Sequence, residues 1–92
     1  MTDFNVKFSS NFKRNYRKII SGGRYKKEDF LVIFNILTKG SKIPEKYFDH
    51  QLVNRKPDSE LHIKPDWLLI YKYVDENTIR FIDTGTHSDL FD

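Results

Sequence analysis

The chain contains no cysteine, which removes disulfides, thiolate catalysis and cysteine-ligated zinc together. The fold must stand on packing alone, as suits the reducing cytosol. No apolar run approaches the roughly 18 residues that a membrane helix needs. Met1-Thr2-Asp3-Phe4 also lacks the charged-then-apolar order of an export signal. A cytoplasmic protein with no membrane partner is therefore expected. There is no glycine-rich phosphate loop, no strand–elbow–helix context for a nucleophilic serine, no internal repeat and no low-complexity segment. What the chain has in quantity is aromatic and basic. Eight Phe and five Tyr among 92 residues can fill a core and argue against wholesale disorder. The length corresponds to one small domain spanning residues 1–92.

The net charge of +3 is unevenly spread. Residues 1–56 hold 13 Lys and Arg against 5 Asp and Glu, a surplus of eight, whereas residues 57–92 hold 3 against 8, a deficit of five. A basic half is the footprint expected of a polyanion partner, and equally of a solvated helical surface.

Alternation of Phe4, Val6 and Phe8 predicts an opening strand. Ser9 or Ser10 can cap a helix whose apolar stripe is Phe12, Tyr16, Ile19 and Ile20, with Lys13, Arg14, Arg17 and Lys18 on its other faces. Gly22-Gly23 ends it. A second helix is predicted from about Lys27 to Thr38, with the stripe Phe30, Ile33, Phe34 and Leu37. Leu31, Val32 and Ile36 broaden that stripe, so burial on more than one side is expected. Gly40 stops the helix. The second half reads as sheet: Glu60 to Ile63, a turn at Lys64-Pro65-Asp66, Trp67 to Val74, a turn at Asp75-Glu76-Asn77, and Thr78 to Thr84 returning antiparallel. The order β-α-α-β-β-β describes an α+β domain, an N-terminal strand and a helical hairpin packed on a small antiparallel sheet.

The two turns imply a register. Val74 opposite Thr78 brings Trp67 near Gly85, and Ile63 opposite Trp67 brings His62 beside Leu68 and near Thr84. His62, Asp66 and His87 then meet at one end of the sheet, and His50 can reach the same end from the preceding loop. Imidazoles exchange protons near neutral pH, and Asp66 can orient or charge one of them. Taken singly, each is as well explained as a turn or surface residue. Three His and a carboxylate could also bind zinc, but their spacing matches no compact ligand motif, so neither metal nor cofactor is expected.

Three segments carry a resemblance: Asp49-His50-Gln51-Leu52, Glu60-Leu61-His62-Ile63-Lys64-Pro65-Asp66-Trp67-Leu68-Leu69-Ile70-Tyr71, and Thr84-Gly85-Thr86-His87-Ser88-Asp89-Leu90-Phe91. In order and spacing they resemble the YafQ branch of the RelE/ParE toxin superfamily, over nearly the whole chain. The resemblance implies a toxin of a bacterial type II toxin–antitoxin pair. Such a toxin is an mRNA endonuclease acting in the ribosomal A site without metal, by attack of a ribose 2′-hydroxyl on the adjacent phosphate. That chemistry needs a base, an acid and positive charge on the phosphate. Carried over by motif, His50, His62, Asp66 and His87 form the acid–base set, with His87 as general acid. Phe91 stacks on a base, Trp67 adjoins the site or anchors the core, and Lys64 with the basic helix residues Lys13, Arg14, Arg17 and Lys18 contacts RNA. The implied partners are a translating ribosome and an acidic, partly disordered antitoxin. The toxin–antitoxin complex is further implied to bind operator DNA.

Two positions depart from the family pattern. The Arg expected before Thr84-Gly85-Thr86-His87 is Asp83, and an Arg expected before Glu60-Leu61-His62 is Ser59. A carboxylate at Asp83 repels a phosphate. Arg80, three residues away, is expected on the opposite strand face, which leaves Lys64 or Arg55 as alternative cations. Two further readings follow. One is a non-catalytic ParE-like toxin that inhibits gyrase, although three His serve no purpose there. The other is a weakened toxin that mainly binds its antitoxin.

Overall fold

The structure, a computed structural model, describes residues 3–52 and 58–91. Strand β1 (Asn5–Phe8) leads into helix α1 (Ser10–Ser21). Ser9 is the cap: its Oγ accepts from the Phe12 amide at 3.0 Å, which satisfies one of the N–H groups that a helix start leaves free. The same hydroxyl donates to the carbonyl of Ile82 and ties the helix start to the sheet. Phe12 is buried, Tyr16, Ile19 and Ile20 are half-buried, and Lys13, Arg14, Arg17 and Lys18 face solvent. The chain leaves the helix at Gly22-Gly23, where Gly23 takes a φ of 79°.

Helix α2 (Lys27–Thr38) starts with Glu28 and Asp29 in its first turn, where the helix dipole favours negative charge. Its Phe30, Ile33 and Leu37 are buried, but Leu31 and Val32 are 46% and 51% exposed. The helix is thus buried along one stripe, and the expected burial on a second side does not occur. Only one of its faces meets the sheet.

The sheet consists of β2 (His50–Gln51), β3 (Ser59–Lys64), β4 (Trp67–Asp75), β5 (Thr78–Gly85) and β1, in the order β1-β5-β4-β3-β2. Pairings from β2 to β5 are antiparallel, whereas β1 runs parallel to β5. The α+β class holds, and the sheet is mixed rather than wholly antiparallel. No tight turn fixes the direction of β1, because the whole helical hairpin intervenes before the chain re-enters the sheet. A 3-10 turn, Glu45–Tyr47, precedes β2, and a short helix α3 (His87–Phe91) follows β5.

Residues alternating along the strands, among them Leu61, Leu69, Tyr71, Ile79 and Phe81, form the core with Phe12, Phe30, Ile33 and Leu37 of the helices. Phe81 is its centre, with the rings of Phe8, Phe12, Phe30 and Phe34 at 5.4 to 5.8 Å. Leu68 and Ile70 are fully buried yet lie outside this cluster, because they point to the other face of the sheet.

The expected register holds through the middle of both hairpins, from Ser59↔Tyr71 to His62↔Leu68 and from Tyr71↔Phe81 to Tyr73↔Ile79, and is one residue off elsewhere. Lys64, not Ile63, pairs with Trp67; Asp75, not Val74, pairs with Thr78; Leu68, not Trp67, pairs with Gly85. Bulges cause this. Ile63 has no β4 partner, and neither has Ile82 a partner between Phe81↔Tyr71 and Asp83↔Ile70. The second bulge also reverses the alternation of β5. Arg80 pairs with Lys72 and Asp83 with Ile70, and Lys72 and Ile70 share a β4 face. Arg80 and Asp83 therefore lie on one face, not on opposite faces as strict alternation implied.

Candidate active site

Paired residues share a sheet face, so two rows can be followed across the side away from the helices. One runs His50, Glu60, Ile70, Asp83, and the next runs His62, Leu68, Gly85. The two histidines meet at Glu60. Nε2 of His50 is 3.3 Å and Nε2 of His62 3.8 Å from the same oxygen, Glu60 Oε1. Each imidazole is held from behind in the same manner. Nδ1 of His50 donates to the Phe48 carbonyl at 2.8 Å, and Nδ1 of His62 to the Pro65 carbonyl at 3.2 Å. A carbonyl only accepts, so Nδ1 is the donor in both rings and Nε2 is the nitrogen turned toward Glu60. Glu60 is 6% exposed, and its Oε2 has no hydrogen-bond partner among the described residues. A buried carboxylate between two imidazoles is a costly arrangement for stability alone.

Glu60 is the residue that the motif reading missed as a functional group. The signal was present: Glu60 and His62 are two apart in a strand, hence on one face. His50 owes its place to a neighbouring tether. The Tyr71 hydroxyl donates to Asp49 Oδ1, linking β4 to the residue before β2. Burial first, and then the Asp49 carboxylate, push the Tyr71 pKa far up, so the phenol keeps its proton and the tether persists.

Asp66 and His87 form a second pair. Asp66 lies in the two-residue turn between β3 and β4, and its Oδ1 accepts from the His87 backbone amide at 3.0 Å. It thus holds the start of α3 rather than the imidazole itself. The Thr84-Gly85-Thr86-His87-Ser88-Asp89 run explains the rest of this corner. Thr86 and Asp89 make a reciprocal cap, Thr86 N–H donating to Asp89 Oδ2 at 3.0 Å and Asp89 N–H to Thr86 Oγ1 at 3.2 Å. The Thr86 backbone bond chiefly, with its hydroxyl and the charge of Lys18, keeps the Asp89 carboxyl below the usual carboxylate range. A Cβ on Gly85 would lie 2.9 Å from Asp89 Cβ, so the close return of α3 requires glycine there. On that short helix the His87 ring lies 5.1 Å from the ring of Phe91, which is 40% exposed.

Trp67 does not reach this surface. It is wholly buried, its indole N–H donates to Thr84 Oγ1 at 2.9 Å, and that hydroxyl donates to the Leu68 carbonyl at 2.7 Å. It anchors β4 to β5 beneath the site, the second of the two roles expected for it. Lys64 is exposed and pairs with Asp29 at 3.5 Å. Asp83 accepts from Asn15 Nδ2 at 2.7 Å and from the Thr84 amide at 2.8 Å, which places α1 against this edge of the sheet. Arg55 lies outside the described residues. Among the described residues, no three His, Cys, Asp or Glu groups converge to hold a metal ion, and no helix is long and apolar enough to cross a membrane.

Comparisons with known proteins agree on one family. An mRNA interferase toxin YafQ of Escherichia coli strain B (BL21-DE3) is 34% identical over 90 residues, covering 97% of this chain and 92% of the relative. The E. coli DinJ–YafQ toxin–antitoxin complex contains a chain similar to this one, with a TM-score of 0.85 at 27% identity, covering 98% and 99% of the two chains. A copper-bound mutant toxin from Helicobacter pylori has a TM-score of 0.87 at 27% identity, covering 96% and 99%. The family model described as "Bacterial toxin of type II toxin-antitoxin system, YafQ" matches residues 4–92, and the chain belongs to that family.

Proposed function

We propose that this toxin is a ribosome-dependent, metal-independent mRNA endonuclease whose acid–base groups are His50, His62 and His87, with Asp66 as the residue that positions His87. The observation that carries the reading is the convergence of His50 and His62 on buried Glu60, together with the seating of His87 on Asp66 beside Phe91. Nε2 of His50 or His62 takes the proton from the ribose 2′-hydroxyl, whose oxygen then bonds to the adjacent phosphorus. The phosphorus–O5′ bond breaks, and His87 gives its proton to the departing O5′. The products are a 2′,3′-cyclic phosphate and a 5′-hydroxyl. Asp66 acts by positioning, through the His87 amide. Glu60 provides a negative partner for whichever imidazole becomes charged.

Phe91 offers a stacking face for a base. The exposed Lys13, Arg14, Arg17 and Lys18 of α1 suit ribosomal RNA, a contact weakened by salt. The same basic surface suits an acidic, partly disordered antitoxin that folds on binding; the complex of the two is the form that binds operator DNA. Dependence on ribosomes makes the cytoplasm the place of action. The position of Asp83, in one row with Glu60 and His50, favours a related reading in which its charge weakens the cleavage.

The test is primer extension on a reporter mRNA translated in a purified system, with wild-type, His87→Ala and Asp83→Arg proteins. Ribosome-dependent cuts from the wild type that vanish in His87→Ala are expected. Cuts only with Asp83→Arg would mark a disarmed toxin. Absence of cuts from all three, with inhibition of gyrase supercoiling, would favour the ParE-like alternative.

A further inference from the structure

Beside His50 and His62 opens a cleft of about 840 Å³, whose walls include both imidazoles, Tyr47, Phe48, Lys46 and Lys64. Phe48 is unusual there in two ways. It is 67% exposed, more than any other large hydrophobic side chain among the described residues. Its backbone also has φ 51° and ψ 43°, the left-handed region that a residue of this bulk rarely adopts. The surroundings hold it in that conformation. Its amide closes the Glu45–Tyr47 turn by donating to the Glu45 carbonyl at 2.9 Å, and its own carbonyl receives Nδ1 of His50. Strained residues that are fixed in this way concentrate at functional sites. The Phe48 ring stands edge-on to His62, with centroids 5.7 Å apart.

We propose that Phe48 and this cleft form a nucleobase subsite for single-stranded RNA, receiving a base next to the cleaved bond. The proposal rests on the endonuclease reading and deepens it. An exposed aromatic face accepts any base by stacking. Cations stand at the mouth for the flanking phosphates: Lys46 lies 5.2 Å from the Tyr47 ring centroid, and Lys64 is held by Asp29. The site is then symmetric in kind. His87 has the exposed ring of Phe91 beside it, and His62 has that of Phe48. Two platforms, one at each end of the acid–base set, suit a strand whose bases are splayed apart around the scissile phosphate. Imidazoles and cations around the Phe48 ring suit a base and its flanking phosphates, which the apolar side of a peptide helix would leave unpaired.

The experiment measures cleavage rates on a reporter mRNA in a purified translation system for wild type, Phe48→Ala, Phe48→Leu and Phe48→Trp. Alanine and leucine are expected to slow cleavage about tenfold, the effect of losing one base stack, whereas tryptophan keeps the wild-type rate. Equal rates for Phe48→Ala and wild type would overturn the subsite while leaving the endonuclease standing. Leucine restoring the rate as fully as tryptophan would overturn it too, since the ring would then only pack against His62. If Phe48→Ala cuts normally but no longer co-purifies with its co-expressed antitoxin, the cleft is a protein-docking surface and the subsite fails. A wild type that cuts nothing would remove the underlying reading, and the subsite with it.

Discussion

Thr84 lies beneath the site and joins two buried polar groups through one hydroxyl, which makes Thr84→Val the sharpest probe of how the corner is built. The side chain accepts from the Trp67 indole and donates to the Leu68 carbonyl, and both Trp67 and Leu68 are wholly buried. Valine preserves shape and removes both bonds. An orphaned buried donor costs about 1–3 kcal/mol, and the carbonyl's lost bond roughly 0.5–1.5 kcal/mol. The new methyl group offsets at most about 0.8 kcal/mol. From the middle of these ranges the net loss is about 2 kcal/mol, or roughly 8–16 °C in melting temperature for a domain of this size. Thr84→Ser keeps the hydroxyl and loses one methyl, at a cost of about 1 kcal/mol. Trp67 is the only tryptophan, so urea unfolding followed by its fluorescence reports on the altered site itself. Stability should fall in the order wild type, Thr84→Ser, Thr84→Val. A valine variant as stable as the serine variant would refute the argument.

Tyr71→Phe removes the tether to Asp49; it should cost about 1 kcal/mol and lower cleavage more than stability accounts for, because His50 loses its fixed approach. Enzyme assays at matched folded fraction check this. Asp83→Arg gives up the bond from Asn15 and should lower the melting temperature by a few degrees, while raising cleavage about tenfold by replacing a repelling charge near the phosphate with an attracting one. Unchanged cleavage would mean that Asp83 lies off the phosphate path. Asp89 has a lowered folded-state pKa, so its stabilising contribution is complete above the ordinary value of 3.8 and is lost as pH falls through the lower, folded value. The Thr86 and Asp89 amide shifts in NMR should titrate with a midpoint below 3.8, and a midpoint at or above it would contradict the cap.

Much of this fold is legible in local sequence chemistry. Ser9, Gly22-Gly23 and Gly40 mark the helix ends, because caps and left-handed exits need those residue types. Pro65-Asp66 and Glu76-Asn77 set turns whose registers bring His62 and His87 to the same end of the sheet. What stayed hidden depends on long-range geometry. The bulges at Ile63 and Ile82 carry no glycine or other local mark, so the face of Arg80 was misread. The parallel docking of β1 follows from the path of the helical hairpin rather than from β1 itself. Helix α3 is too short for periodicity to reveal, although its Thr86–Asp89 cap was visible in the sequence. Among the site residues, the motif reading named the imidazoles but passed over Glu60, the carboxylate on which His50 and His62 converge. Of the two roles expected for Trp67, beside the site or in the core, its indole serves the second by donating into the interior.

Central to the proposed function is that imidazoles, without metal, drive attack by the 2′-hydroxyl. The most direct test is the chemistry of the new ends on a translated reporter mRNA cut by the wild-type protein, with His87→Ala as control. A 5′-hydroxyl and a 2′,3′-cyclic phosphate, both absent from the control, are the predicted result. A 5′-phosphate, the signature of attack by water with departure of the 3′ oxygen, would contradict it.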